Sequence, residues 1–315
     1  MHKRTLGRSG LDTAPLVLGG NVFGWTADED TSFKLLDRFV ERGFNAIDTA
    51  DVYSAWAPGL AGGESEAVMG RWLAKRGRRD DVVIMTKVGS LEARKGLSAD
   101  NIAAAVEDSL RRLQTDYLDV YFAHIDDDSV PLEETLGAFD KLVNAGKVRT
   151  IGASNYDASR LREALGISEE KGLSRYEVIQ PGYNLYDRAG YEAELAGVVR
   201  EEGLGVVAYF ALASGFLTGK YRSKADLEGV PRAAFLEGFF DDRGMKLLDA
   251  LRKVSDEAGA TPAQVALAWL MSRPDVTPIA SATSLVQLDE ILGAADVVLS
   301  ASAVEALEAA SRQDA

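Results

Sequence analysis

The sequence predicts an α/β fold, a (β/α)8 TIM barrel formed as one domain over residues 1–315. Short apolar, β-branched runs alternate with longer stretches of helical period from about residue 16 to the C-terminus. No run of consecutive strands interrupts the alternation. Eight strand-then-helix units can be counted, and that number closes a parallel barrel more readily than it extends an open doubly wound sheet. A chain of 315 residues could hold two ordinary domains, but α/β barrels often use as many for one core, so the order of segments decides.

The first residues, KRTL followed by GRSG, suit a small N-terminal β-hairpin outside the barrel. Strands are expected at 14–20 (APLVLGG), 45–50 (NAIDTA), 82–87 (VVIMTK) and 118–124 (LDVYFAH). Four more are expected at 148–154 (VRTIGAS), 176–181 (YEVIQP), 205–210 (GVVAYF) and 276–281 (VTPIAS). Between them lie amphipathic segments such as SFKLLDRFVERG, ESEAVMGRWLAKRG, NIAAAVEDSLRRL and PLEETLGAFDKLVNAGK, with apolar residues three and four apart and Gly near several ends. About thirty residues separate the seventh strand from its helix at 244–259, and a loop of that length, 214–243, is expected to serve as a lid or ligand clasp. The last helix, near 300–312, is Ala-rich and is expected to pack outside the barrel.

The chain is 46% hydrophobic and 27% charged and has no apolar stretch long enough to cross a bilayer, which reads as soluble and globular. Cysteine is absent, which excludes disulfide scaffolds, cysteine nucleophiles and thiolate metal sites. The N-terminus MHKRTLGRSGLD lacks the apolar core of a signal peptide, so a cytoplasmic location is expected. A formal charge of −14 argues against nucleic acid or an anionic membrane as partner, and otherwise reads as an aid to solubility. The same pattern sets no oligomeric state.

In such a barrel, chemistry belongs at the C-terminal ends of the strands. The second strand ends in Asp48 and its loop carries Tyr53; the third ends in Lys87 and the fourth in His124. The later strands end in Ser154 with Asn155, then Gln180, Tyr209 and Ser281. An Asp, a Lys and a Tyr together make a proton donor, because a cationic neighbour favours the phenolate and pulls down a Tyr pKa. A neutral His beside the Tyr can orient a substrate carbonyl and stabilise its developing negative charge. No side chain supplies a hydride, so a nicotinamide must bring it. Singly, each residue has an ordinary explanation: a core His, a capping Asp, a solvent-ended Lys, a packing Tyr. Four such residues at the mouth-facing ends of adjacent strands outweigh those explanations.

These residues resemble the aldo-keto reductase superfamily, including its branch related to potassium-channel β subunits. NAIDTADVY followed by GGESEAVMG resembles the family's strand-two signature and carries Asp48 and Tyr53, while IMTKVG carries Lys87. DYLDVYFAHIDDDSVPLEETLGAFDKLVNAGKVRTIGASN resembles the longest family signature and carries His124, with Asp127, Pro131, Glu133 and Glu134 in place. The resemblance covers nearly the whole chain. It implies reduction of aldehydes and ketones by NAD(P)H, with Tyr53 as general acid in a tetrad with Asp48, Lys87 and His124.

It also implies that Ser154, Asn155 and Gln180 hold the nicotinamide carboxamide and that Tyr209 stacks on the ring. SGFLTGKY resembles a pyrophosphate-clasping segment, with Gly215 and Lys220 as contacts. Gly20, Asn21, Val22, Asp48, Phe210, Leu212, Ser281, Thr283, Gln287 and Glu290 complete the implied cofactor set. Phe210 and Ala211 stand where the family usually has Ser-Pro, and Ser284 and Ile291 stand where it often has an Arg for the 2′-phosphate and an Asn for the adenine. The absence of that Arg weakens the case for NADP(H), since a guanidinium is the natural partner of a phosphate dianion; NADPH is still the cofactor expected, with NADH admitted.

GLAGGE at 59–64 lacks the Gly-x-Gly-x-x-Gly order and reads as a flexible loop. Asp126, Asp127 and Asp128 point in different directions as consecutive residues, and no metal is expected. The substrate is expected to be a small-molecule carbonyl compound, with Val22, Phe23, Trp25, Trp56 and Phe210 lining an apolar pocket, although core packing would serve each as well. Two other functions stay open: a cofactor-sensing partner subunit without catalysis, and an aldolase or isomerase using Lys87 as a Schiff base.

Overall fold

The computed structural model describes residues 3–229 and 233–312. Strands β1 (Arg4–Thr5) and β2 (Asp12–Thr13) form the expected hairpin, antiparallel with Arg4 opposite Thr13. The barrel strands are β3 (Val17–Gly19), β4 (Ala46–Asp48), β5 (Val83–Val88), β6 (Leu118–Ala123), β7 (Val148–Ser154), β8 (Tyr176–Gln180), β9 (Gly205–Ala208) and β10 (Val276–Ala280). All pair in parallel with their sequence neighbours, and β10 closes onto β3. The eight predicted strands are therefore the eight staves. β9 is shorter than the expected 205–210, because Phe210 takes a positive φ of 53° that ends the strand geometry.

Around the barrel run α1 (Glu29–Glu41), α2 (Glu64–Arg76), α3 (Ala99–Leu113), α4 (Leu132–Asn144), α5 (Ala158–Lys171) and α6 (Ala196–Glu202). Further along stand α7 (Asp242–Ala258), α8 (Pro262–Met271), α9 (Leu285–Leu292) and α10 (Ala301–Ala310). Side-chain caps open many of them: Asp28, Ser98, Asp157, Asp241, Thr261, Ser284 and Ser300 each accept an amide of the first turn. Helix α2 lies close to α3 because position 70 is Gly. A Cβ there would stand 2.0 Å from the carbonyl oxygen of Arg112.

Two apolar layers result. Side chains alternate across each strand, so Val17, Ala46, Val83, Met85, Val120, Phe122, Val178, Val207 and Ile279 fill the barrel interior. Leu6 and Leu11 of the hairpin join that interior cluster and cover one end of it. The outward parity packs the barrel against its helices, with Trp72, Phe139, Tyr176 and Trp269 fully buried.

The long connection after β9 is less open than its sequence suggested. Short helical turns span Ala213–Thr218, Lys224–Leu227, Ala233–Phe235 and Glu237–Phe239. Phe216, Leu217, Leu227 and Leu236 are buried beneath it. Phe216 stacks on Phe239 at 5.3 Å, and the Tyr186 hydroxyl donates to Asp241 at 2.7 Å. The segment is thus pinned to the barrel by an aromatic cluster at its far end.

Candidate active site

The strand parity that fills the barrel also builds its mouth. Two residues beyond an interior side chain, the same face presents Asp48 after Ala46, Lys87 after Met85, His124 after Phe122, Gln180 after Val178 and Tyr209 after Val207. Register staggers them around the barrel, with Asp48 opposite Met85, two residues before Lys87, and Lys87 opposite Phe122, two before His124, while Ser154 lies directly opposite Gln180. Tyr53 arrives from the turn after β4. Three predicted residues meet directly. Lys87 Nζ lies 2.7 Å from both carboxylate oxygens of Asp48 and 2.9 Å from the Tyr53 hydroxyl. The Tyr53 hydroxyl in turn donates to Asp48 Oδ2 at 2.9 Å. Lys87 also donates to the Thr49 carbonyl at 2.7 Å, so the ammonium is fully engaged.

Asp48 and Lys87 are each 1% exposed, whereas Tyr53 is half-buried. Burial pulls the Lys87 ammonium below the ordinary lysine range, and the Asp48 carboxylate opposes that pull. The Tyr53 hydroxyl moves the opposite way from the sequence expectation. Burial and then the neighbouring Asp48 carboxylate hold it well above the ordinary tyrosine value, even with the Lys87 ammonium 2.9 Å away. At rest the phenol therefore keeps its proton, the state that a general acid needs.

The His124 ring meets the Tyr53 ring edge-on, with centroids 6.3 Å apart. Its Nδ1 is buried without a hydrogen-bond partner. Burial, assisted by the charge on Lys87, lowers its pKa to about 3, so the imidazole is neutral near pH 7. Beside it, Asn155 donates to the His124 carbonyl at 2.8 Å and to Ser154 Oγ at 3.1 Å, while the Tyr209 hydroxyl donates to Asn155 Oδ1 at 2.7 Å. Asn155 reaches this position through a left-handed backbone with φ 58°, a conformation asparagine tolerates.

Residues 15–312 match the profile described as "Aldo/keto reductase family". The chain belongs to the aldo/keto reductase family. It is 36% identical to a probable voltage-gated potassium channel subunit beta of Arabidopsis thaliana, over 95% of this chain and 92% of that one. It is 35% identical to the uncharacterized oxidoreductase YrpG of Bacillus subtilis, over the same shares. The protein tas of Escherichia coli is 33% identical, over 98% of this chain and 97% of its own. Family membership makes this chain an oxidoreductase.

The rest of the aldo/keto reductase mouth contains both expected and unexpected positions. Gly20 turns tightly after β3; its amide donates to the Asp48 carbonyl at 2.7 Å, and a Cβ there would stand 2.9 Å from Ser65 Oγ. Asn21 Oδ1 accepts from Ser281 Oγ at 2.5 Å, joining the first and last strand ends. Thr283 and Gln287 bond each other around the start of α9, where Ser284 is the cap. Glu290 lies on the same helix. After Tyr209, Phe210, Ala213 and Ser214 all hold positive φ, Gly215 follows at 103°, and Leu212 is half-buried between them. Lys220 is exposed with its Nζ 4.6 Å from the Tyr221 ring centre.

For two of the five candidate pocket residues the alternative role, core packing, is the one observed. Val22 is 2% exposed and Phe23 is completely buried, and both belong to the packing between barrel and helices. Trp25, Trp56 and Phe210 do stand at the mouth, with Trp56 49% and Phe210 59% exposed. Trp56 meets Trp25 and Tyr53 edge-on, at 5.7 and 5.8 Å. The acids after β6 serve the fold: Asp126 pairs with Arg160 at 2.9 Å, and Asp127 accepts the Leu97 amide at 2.9 Å. No cluster of metal-ligating side chains occurs among the described residues. Nor, among them, is any helix long and apolar enough to cross a membrane.

Sequence reasoning missed one link and one neighbourhood. Gln180 Nε2 donates to Asp48 Oδ1 at 2.8 Å, making Gln180 a buried anchor for the tetrad's acid. Behind Lys87, the buried Glu66 of α2 accepts from Thr86 Oγ1 at 2.5 Å and from Arg112 at 2.7 Å. The motif ESEAVMG contained the signal, since Glu66 falls on the same helical face as the buried Met69, Gly70 and Leu73.

Proposed function

We propose that this chain reduces aldehydes and ketones to alcohols with NADPH, with NADH as a possible substitute, and that Tyr53 is the proton donor. The observation that carries the reading is the Tyr53 hydroxyl, 2.9 Å from both Lys87 Nζ and Asp48 Oδ2 at the barrel mouth. The donor set fits a nicotinamide cofactor. Ser154, Asn155 and Gln180 gather hydroxyl and amide groups beside the half-exposed Tyr209 ring, and the left-handed backbone at Ser214 and Gly215 lets the chain turn tightly ahead of the exposed Lys220. Bound there, the cofactor supplies the hydride.

The chain's own residues do the remaining work. Neutral His124 and Tyr53 would hold the carbonyl oxygen by hydrogen bonds and so orient the substrate. As negative charge develops on that oxygen, Tyr53 gives it the phenolic proton. Lys87 stabilises the phenolate left behind, and Asp48, itself held by Gln180, keeps Lys87 aimed at it. Trp25, Trp56 and Phe210 form an aromatic wall suited to an aromatic or medium-sized aliphatic aldehyde.

A Schiff-base role for Lys87 is disfavoured by its geometry, because three groups accept from its ammonium at 2.9 Å or closer. The likeness to a channel β subunit supports a second reading, a cofactor-binding partner protein. NADPH oxidation with a panel of aldehydes and ketones, for wild type and Tyr53→Phe and repeated with NADH, decides among them. Turnover lost in the Phe variant with cofactor binding kept supports the reductase. Binding without turnover on any carbonyl supports the partner protein, and no binding of either cofactor sinks both.

A further inference from the structure

The turn that delivers Tyr53 also buries an acid for which the reaction just described has no use. Asp51 is 1% exposed, and neither carboxyl oxygen has a well-formed hydrogen bond. Its backbone amide donates to the Lys87 carbonyl at 3.4 Å, which ties the turn to the catalytic lysine's own peptide. The groups that act on it come from the neighbouring elements: Glu66 from α2, Lys87 from β5, Tyr121 from β6 and Arg112 from α3. Asp48 lies beyond Lys87, and Asp108, which acts on Tyr121, is already held by Arg94 and Arg111 at 2.8 and 2.6 Å. Glu66 and Arg112 are already paired at 2.7 Å, and the Tyr121 hydroxyl is buried without a partner. The local balance therefore holds two cations, Lys87 and Arg112, against Asp48 and Glu66, so an ionised Asp51 leaves one uncompensated negative charge behind Lys87. An unpaired buried carboxyl of this kind takes up a proton rather than stay charged.

Resting on the reductase reading, we propose that Asp51 is a positioning residue: its buried carboxyl, gaining and losing a proton, sets how strongly Lys87 draws on the Tyr53 hydroxyl. Burial first, and Glu66 second, push the Asp51 carboxyl up to about 7, against relief from Arg112, the Val52 amide and Lys87. The influence is mutual, since Asp51 and Glu66 also act on Lys87. With Asp51 neutral, the lysine's charge acts on Tyr53 undiluted and the phenol gives up its proton more readily. With Asp51 ionised, the added negative charge holds the proton back. Carbonyl reduction is thus favoured on the acid side of the Asp51 transition and alcohol oxidation on the alkaline side.

The test follows both the carboxyl and the reaction. The 13C carboxyl resonance of Asp51, assigned by difference from Asp51→Asn, is titrated in wild type, Lys87→Met and Glu66→Gln. Single-turnover reduction of 4-nitrobenzaldehyde by NADPH is timed against pH for wild type, Asp51→Asn and Glu66→Gln. A midpoint near neutrality that rises in Lys87→Met and falls in Glu66→Gln is expected. The wild-type rate should drop about three- to tenfold through the same midpoint. That drop should vanish in Asp51→Asn and move to lower pH in Glu66→Gln. An Asp51 resonance that titrates below pH 5 or ignores Lys87→Met overturns the proposal, as does an unchanged rate profile in Asp51→Asn. If Asp51→Asn does not fold, Asp51→Ser supplies the difference assignment and the Lys87→Met and Glu66→Gln shifts decide. If wild type reduces no carbonyl, the reductase reading fails, and the coupling of the Asp51 and Lys87 charges stands or falls on the carboxyl titrations alone.

Discussion

Gln180 donates its side-chain amide to Asp48 Oδ1 at 2.8 Å across 132 residues of sequence, with both residues buried. A hydrogen bond to a buried charge contributes about 1.5–3 kcal/mol. Gln180→Ala leaves one Asp48 oxygen without that donor and frees the carboxylate to turn from Lys87. We expect the reduction rate to fall about tenfold or more, with cofactor affinity also weakened. Unchanged kinetics in a folded Gln180→Ala protein would mean that Asp48 is held well enough by Lys87 and Tyr53 alone.

Tyr53→Phe removes the proposed proton donor together with its hydrogen bonds to Lys87 and Asp48, while the ring keeps its edge contacts to Trp56 and His124. The chemical step should slow by about 10²–10⁴-fold. NADPH affinity, read by fluorescence quenching, should change less than about threefold. A variant retaining most of its turnover would move the acid role elsewhere, with His124 the next residue to test.

His124 should stay neutral throughout the usable pH range. Its folded pKa is about 3 against an ordinary 6.5, with burial as the main cause. The unfolded chain binds the proton first, so this residue withdraws stability as pH falls below about 6.5 and does so increasingly down to about 3. In a His2→Ala protein, the single remaining imidazole should show no shift in its proton NMR signals between pH 5 and 8. A transition near 6.5 would refute the burial assigned to the ring and the neutral donor role with it.

The barrel and the strand-end residues at its mouth could be read in advance for one reason: both depend on the two-residue period of a strand, whereas Tyr53 comes from a turn that the period does not reach. That period leaves an apolar run with a polar end each time, and Asp48, Lys87, His124, Ser154 and Gln180 are those ends. Features that depend on the third dimension could not be read that way. Helix α8 is buried over Ala263 and Val265–Met271, so it shows no polar face to reveal its period, although the Thr261–Gln264 capping box marks its start. The sign of the Tyr53 shift depends on burial, which a list of charged neighbours does not reveal. The sequence leaves Val22 and Phe23 open between pocket wall and core, because aromatic and aliphatic residues next to a strand end look alike whether they face inward or outward.

The approach of α2 to α3 gives a structural test away from the chemistry. A methyl group at position 70 would come 2.0 Å from the Arg112 carbonyl oxygen, and both helices carry groups that back Lys87. Gly70→Ala should improve helix propensity yet destabilise the protein by about 1–3 kcal/mol through overpacking. Chemical denaturation measures it. A variant as stable as wild type would show that α2 can slide outward at no cost, and the Glu66–Arg112 pair would then be expected to loosen.

Asp51 should also shape stability, with a sign that sets it apart from a paired surface acid. Its carboxyl is raised from 3.8 to about 7 in the folded chain. Between those values the unfolded state loses its proton while the folded state keeps it, so stability falls as pH rises from about 4 to 7 and levels off above that. Asn cannot ionise and lacks this term. The stability difference between Asp51→Asn and wild type should therefore shift in favour of the variant by about 2–4 kcal/mol between pH 4.5 and 8. Acids remote from Asp51 titrate in the same window, but they do so equally in both proteins and cancel in the difference. Denaturation curves of the two proteins at both pH values give that number. If the two proteins keep the same separation at both, Asp51 is ionised in the folded state, and its charge must be met by a partner stronger than Arg112 or Lys87.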